Sequence, residues 1–185
     1  MLFMIPVYTL ARSLVPGYSE VMKPILIALI SPSGSTQEIV GHLRRAFENA
    51  GRPVEVADLA GTRNLDSYAA VVVAAPIHGM RWMPEAVSFV ESHRDSLKAR
   101  PTAFVAASYL YFEGRSTWKA SITKGLEAVR RPLPHASVQV FGGRLPKALP
   151  APARWLFGVK ANRPLDLVNP AVVTAWAEAW VRTVG

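Results

Sequence analysis

At 185 residues the chain is one domain by length and long enough to bury a core. Half of its residues are hydrophobic and 18% are charged, a balance that excludes a disordered chain, and no apolar run reaches the roughly 18 residues of a membrane-spanning helix. The absence of cysteine excludes thiol nucleophiles, disulfide redox chemistry, iron–sulfur clusters and cysteine-based zinc sites. The net charge of +8 suits an anionic partner, such as a membrane surface or an acidic substrate, or else an ordinarily basic protein. Nucleic acid is the least favoured partner, because no zinc-finger, RNP or helix-turn-helix signature is present.

Residues 1–22 read as an N-terminal extension, and 23–185 as the domain. The apolar start is interrupted by Pro6 and has no positive charge ahead of it, so it makes a poor secretory signal. A tail, a surface anchor and an upstream extension of a chain beginning at Met22 all remain open. Residues 25–30, ILIALI, are a continuous apolar run suited to a parallel strand covered on both faces. Six small, neutral residues follow, Ser31-Pro32-Ser33-Gly34-Ser35-Thr36. The period then changes: Ile39, Leu43, Ala46, Phe47 and Ala50 fall on one helical face, and Gly51 closes the helix.

A second strand is expected over 53–58, a third over 69–75 and a fourth over 102–107. Each of the last two runs into a loop, 76–83 and 108–116. Pro84 suits the first turn of a helix carrying Ala86, Phe89, Val90, His93 and Leu97 on one face. Trp118, Ile122, Leu126 and Val129 mark another helix, and 137–141 a fifth strand. Asn169 and Pro170 read as the cap and first residue of a last helix carrying Val172, Val173, Trp176 and Trp180. This alternation of strands and helices implies an α/β three-layer sandwich. Its expected core is a five-stranded parallel sheet of order 2-1-3-4-5, with helices on both faces. Ligands in such sheets bind beyond the carboxyl ends of the strands, which gathers the loops after the first, third and fourth strands.

The loop after the first strand makes a phosphate cradle. Hydroxyls and free N–H groups meet the positive end of a helix there. A helix cap is the simpler reading, but one capping hydroxyl would suffice for that. Other anion loops are excluded by residues: there is no Gly-x-Gly-x-x-Gly fingerprint, and no Lys follows Gly34 as a Walker loop requires. A phosphoryl-accepting receiver would need acids where Ser31 and Ala74-Ala75 stand.

Ser31, Ser33, Gly34 and Thr36 together resemble the phosphate-binding loop of the flavodoxin family, hydroxyl-x-hydroxyl-Gly-x-Thr, which holds the phosphate of FMN. The resemblance implies FMN as cofactor, with Ser31, Ser33, Ser35 and Thr36 donating to phosphate and Gly34 allowing close approach. It also implies that the two later loops flank the flavin ring. In the first, Ile77, His78, Gly79 and Trp82 are candidates; in the second, Ser108, Tyr109 and Tyr111. Trp82, Tyr109 and Tyr111 would offer flat faces to the ring. His78 is the candidate catalytic residue, placed to assist proton transfer. Arg81 and Arg115 are loop cations that could meet substrate carboxylates.

Within that fold the chain resembles the menaquinone-dependent protoporphyrinogen oxidase branch. The resemblance is carried by Ala75-Pro76-Ile77-His78-Gly79-Met80-Arg81-Trp82 with Phe89-Val90, and by Gly142-Gly143-Arg144-Leu145-Pro146 ahead of Arg154-Trp155-Leu156-Phe157. It implies an FMN-dependent oxidoreductase of haem biosynthesis. Such an enzyme takes electrons from a small-molecule substrate, protoporphyrinogen IX, and passes them to a quinone. It would be cytoplasmic, peripheral at the inner face of the membrane. A flavodoxin-type electron carrier and a cofactor-free interaction module are the rival readings; carriers are usually acidic, and this chain is basic.

Residues 142–163 include Arg144, Lys147, Arg154, Lys160 and Arg163 with no acidic residue, and Trp155, Leu156, Phe157 and Val159 sit among them. A patch facing anionic lipid and a loop packed over the sheet edge are both open readings. No metal-ligand cluster is evident.

Overall fold

The computed structural model describes residues 22–32, 34–62, 64–145, 150–160 and 163–184. The expected extension therefore lies outside the described residues except for Met22, as do Ser33 and Lys147. The element order is β1 (Ile25–Leu29), α1 (Ser35–Asn49), β2 (Val54–Asp58), β3 (Ala70–His78), β4 (Arg81–Trp82), α2 (Pro84–Ser92), α3 (Arg94–Lys98), β5 (Thr102–Ser108), α4 (Leu110–Glu113), α5 (Ser116–Arg130), β6 (Ser137–Gly142), α6 (Ala151–Phe157) and α7 (Pro170–Val181).

Five strands run parallel in the order β2-β1-β3-β5-β6, the expected 2-1-3-4-5 arrangement, and β4 pairs antiparallel with the end of β3. The register sets Leu29 beside Asp58 and Ala74, and Ser108 beside Gly142. The strand ends that carry the three loops are thereby brought to one edge.

Alternation along the buried strands divides the core in two. Ile25, Ile27, Val72 and Val105 face α1 and α7, where Phe47 meets Trp180 at 5.5 Å between ring centres. Leu26, Val71, Val73 and Phe104 face α2, α3 and α5. β1, β3 as far as Ala75, and β5 between Thr102 and Ser108 are apolar because both of their faces are covered. β2 is an edge strand, so its side chains are largely exposed.

The helix ends follow the residues that cap them. Gly51 adopts φ 76°, its N–H donates to Glu48 O, and the Arg52 N–H donates to Phe47 O, closing α1. Asn169 Oδ1 accepts from the N–H groups of Ala171 and Val172 and starts α7.

Several expectations are corrected, among them 108–116, expected as a loop, which contains the short helix α4. The segment 76–83 is not a loop: β3 continues to His78, turns through Gly79 and Met80, and returns as β4. The helix after Pro84 breaks at His93, dividing it into α2 and α3. Val172 faces solvent while Val173, Ala177 and Trp180 take the core side of α7. The basic segment after β6 contains a helix, α6.

Candidate functional site

The cradle after β1 is built from backbone geometry as much as from side chains. Gly34 turns the chain into α1 at φ 84°, a left-handed conformation that favours glycine. The first-turn N–H groups of a helix have no carbonyl within it. One of them is satisfied here by Ser31, whose Oγ accepts from the Gln37 N–H at 3.1 Å, and the Glu38 N–H reaches Gly34 O. A hydroxyl that accepts a bond still has its own hydrogen to donate. Ser31, ahead of the N-cap Gly34, thus accepts from the first turn of α1 and keeps its own hydrogen to donate.

Thr36 is the informative residue. Its side chain is fully buried, and its Oγ1 has no hydrogen-bond partner. Buried polar groups are almost always paired, so an orphan of this kind needs an explanation. It lies in the first turn of α1 (Ser35–Asn49), the end of a helix that favours anions.

The neighbouring loops close on the same place. A cavity of about 140 Å³ is lined by Ser35, Ile77, Gly79, Ser108, Tyr109 and Arg144, among others. It is smaller than the ~300–1,000 Å³ of most small-molecule sites, with room for only part of such a ligand. One wall is the β3–β4 turn, where Gly79 (φ 54°) and Met80 (φ 64°) form the two-residue connection. The other wall begins at Ser108, whose Oγ accepts from the Tyr111 N–H at 3.2 Å and starts α4. Gly143 forms the floor: a Cβ there would lie 3.2 Å from the Ser108 nitrogen.

The expected ring contacts divide. Tyr109 lines the cavity, but its hydroxyl is committed to Pro164 O at 2.9 Å. Burial, then the charge of Glu113, raise its pKa, and Arg163 pulls the other way. Trp82 is corrected to a core residue. It is 3% exposed, its Nε1–H donates to Ala75 O at 3.1 Å, and its ring lies against Phe104. The reason is the turn at Gly79-Met80, which sends β4 back and points the indole inward. Tyr111 lines a different hollow, beside β6, and Lys119 Nζ sits 4.9 Å over its ring. His78 is exposed on the hairpin and is not among the residues lining the cavity.

Arg144 brings a cation to the cavity. Its guanidinium bridges Glu38 of α1, at 2.7 Å, and Asp166, at 2.5 Å. Arg115 is tied to α6 rather than to the cavity: it donates to Trp155 O at 2.6 Å. Among the described residues no group of His, Asp and Glu could hold a metal ion.

Residues 26–148 match the flavodoxin domain family, more than half of the chain. The chain belongs to that family. A comparison with curated proteins finds no match. Among solved structures, this flavodoxin domain is similar to oxidised flavodoxin 2 from Bacillus cereus, at 15% identity and TM-score 0.59, covering 86% of this chain and 99% of that one. It is similar also to the Fusobacterium nucleatum flavodoxin bound to flavin mononucleotide, at 10% identity and TM-score 0.52, covering 88% and 97%. The third is rubredoxin oxygen:oxidoreductase from Desulfovibrio gigas, at 15% identity and TM-score 0.54, covering 88% of this chain. The flavodoxin domain spans 37% of that oxidoreductase's length. At these identities the likeness is one of fold.

Proposed function

We propose that this flavodoxin domain binds FMN and works as an oxidoreductase that moves electrons from an organic substrate to a quinone-like acceptor. The observation that carries the reading is the orphaned Oγ1 of buried Thr36 at the N-terminus of α1. The donor set fits a phosphate monoester: the hydroxyls of Ser31 and Thr36 beside the N-terminus of α1. A flavodoxin of the same fold is bound to that cofactor.

Bound FMN would supply electron transfer in steps of one or two. The chain's own residues would do the rest. Ser31, Ser35 and Thr36 hold the phosphate, while Ile77, Met80 and Leu110 exclude water from one edge of the ring. The backbone of Gly79 lies at the hairpin tip, where it can meet polar edge atoms and tune the potential. Each turnover removes two electrons and two protons from the substrate and delivers them to a quinone, giving a quinol. The narrower substrate, protoporphyrinogen IX, rests on the resemblance of 75–82 and 142–157, and a net charge of +8 suits its carboxylates.

A flavodoxin-type electron carrier is the second reading, favoured by the near-complete coverage of small flavodoxins. The deciding experiment is the visible spectrum of purified protein, with the released chromophore weighed. Bound FMN is expected. Colourless protein that takes up no added FMN would reject both readings and leave a cofactor-free interaction module. Turnover of protoporphyrinogen with quinone separates the enzyme from the carrier.

A further inference from the structure

The chain between β6 and α7 is an excursion closed at its base. The Leu145 N–H donates to Leu165 O at 2.8 Å, the Leu167 N–H donates to Gly143 O at 3.1 Å, and Arg144 pairs with Asp166. Helix α6 (Ala151–Phe157) stands on that stem and is seated by Arg115. The Arg115 main-chain N–H donates to Phe157 O, and its guanidinium donates to Trp155 O and lies 5.5 Å from the indole centre. A cation at the last carbonyls of a helix also suits its dipole. Gly158 ends the helix at φ 72°, and a Cβ there would stand 2.5 Å from Arg115 Cγ.

This seating turns Phe157 toward the Trp118 ring and buries Val159, but it leaves Trp155 76% and Leu156 52% exposed. Beside them, Arg154 and Lys160 make no ion pair among the described residues, whereas Arg144 and Arg163 are paired with Asp166 and Glu113. Residues 144–163 contain no acid. An indole and an isobutyl group at a helix tip, ringed by unpaired cations, match the interface of an anionic bilayer. There the apolar groups enter the acyl boundary while Arg and Lys meet headgroup phosphates. A second copy is disfavoured, because the same cations would meet face to face.

We infer that α6 is a membrane-docking element. Trp155 and Leu156 insert into the interface of anionic lipid, and Arg154 and Lys160 bind the headgroups. Leu145, where the excursion begins, lines the cavity, so docking holds the cavity mouth beside the lipid. The inference stands apart from the flavin reading, because partition between vesicles and solution reports it whether or not cofactor is bound.

The test is co-sedimentation of the full chain with phosphatidylcholine vesicles, with and without about 30% phosphatidylglycerol, at low and high salt. Binding to the anionic vesicles alone, weakened by salt, is expected. R154E/K160E should lower the partition coefficient by about tenfold or more, and W155S/L156S should lower it as well. Both variants change surface side chains, and circular dichroism checks that they fold. Brominated acyl chains should quench part of the wild-type tryptophan fluorescence and spare W155F. Three results would overturn the proposal: no binding at low salt, equal binding to neutral vesicles or by both variants, or a vesicle-free dimer that W155S/L156S converts to monomer.

Discussion

Gly142 and Leu167 approach so closely that a methyl group on Gly142 would lie 2.0 Å from the Leu167 carbonyl oxygen. The end of β6 and the returning limb of the excursion therefore pack backbone to backbone. Because the obstacle is main chain, no rotamer change can relieve it. G142A should lose about 2–3 kcal/mol of stability, in the upper part of the range for overpacked sites. Denaturant midpoints measure it; a loss under about 0.5 kcal/mol, the scatter of ordinary surface substitutions, would show that the limb shifts freely.

Thr36→Val separates the orphaned hydroxyl's role in folding from its role in binding. Removing a buried hydroxyl that has no partner should leave the cofactor-free protein as stable or about 1 kcal/mol more stable. Phosphate loses a donor, so FMN affinity should fall about tenfold. Unfolding curves of the cofactor-free protein and an FMN titration give the two numbers. Unchanged affinity would remove Thr36 from the cradle.

Trp82→Phe asks whether the indole serves the core or the ring. The variant loses the bond from Nε1 to Ala75 O and leaves space beside Phe104. Stability should drop by about 2–3 kcal/mol while the bound flavin spectrum stays as in the wild type. A shifted spectrum at unchanged stability would restore Trp82 as a ring contact.

The stem of the excursion should respond to acid. Burial alone would raise the Asp166 pKa, but the Val168 N–H and the Arg144 guanidinium outweigh it and hold the carboxyl below its ordinary 3.8. A lowered folded value means that the ionised form stabilises the fold. That contribution is present above the unfolded value and is lost as pH falls through the lower folded one. Wild-type stability should therefore fall below about pH 4, and D166N should show a flatter acid limb and lower stability at neutral pH. Denaturation midpoints from neutral pH downward decide; parallel acid limbs would clear Asp166 of the effect.

Legibility in the sequence followed the range of the interactions involved. β1, β3 and β5 could be read because burial on both faces leaves uninterrupted apolar runs, and the start of α7 because Asn169 and Pro170 act locally. The β3–β4 hairpin was hidden. Its turn places Met80 at φ 64°, where Gly, Asn or Asp would have signalled it, and the inward course of Trp82 follows from that turn. Helix α6 was obscured by Pro150 and Pro152 and by a face that meets solvent instead of core. The bridge from Arg144 to Glu38 joins residues 106 positions apart, a distance at which no local pattern operates.

The paired stem at 143–145 and 165–167 has a topological consequence. Since the two limbs meet before the chain moves on to α7, the sheet order does not depend on how long the intervening stretch is or what it encodes. Loop closure grows only slowly with length, about 0.6 kcal/mol per doubling. The stretch therefore behaves as an interchangeable cassette: shortening, lengthening or replacing it between Leu145 and Leu165 alters what the protein meets, while the strands and the cradle at Thr36 stay in place.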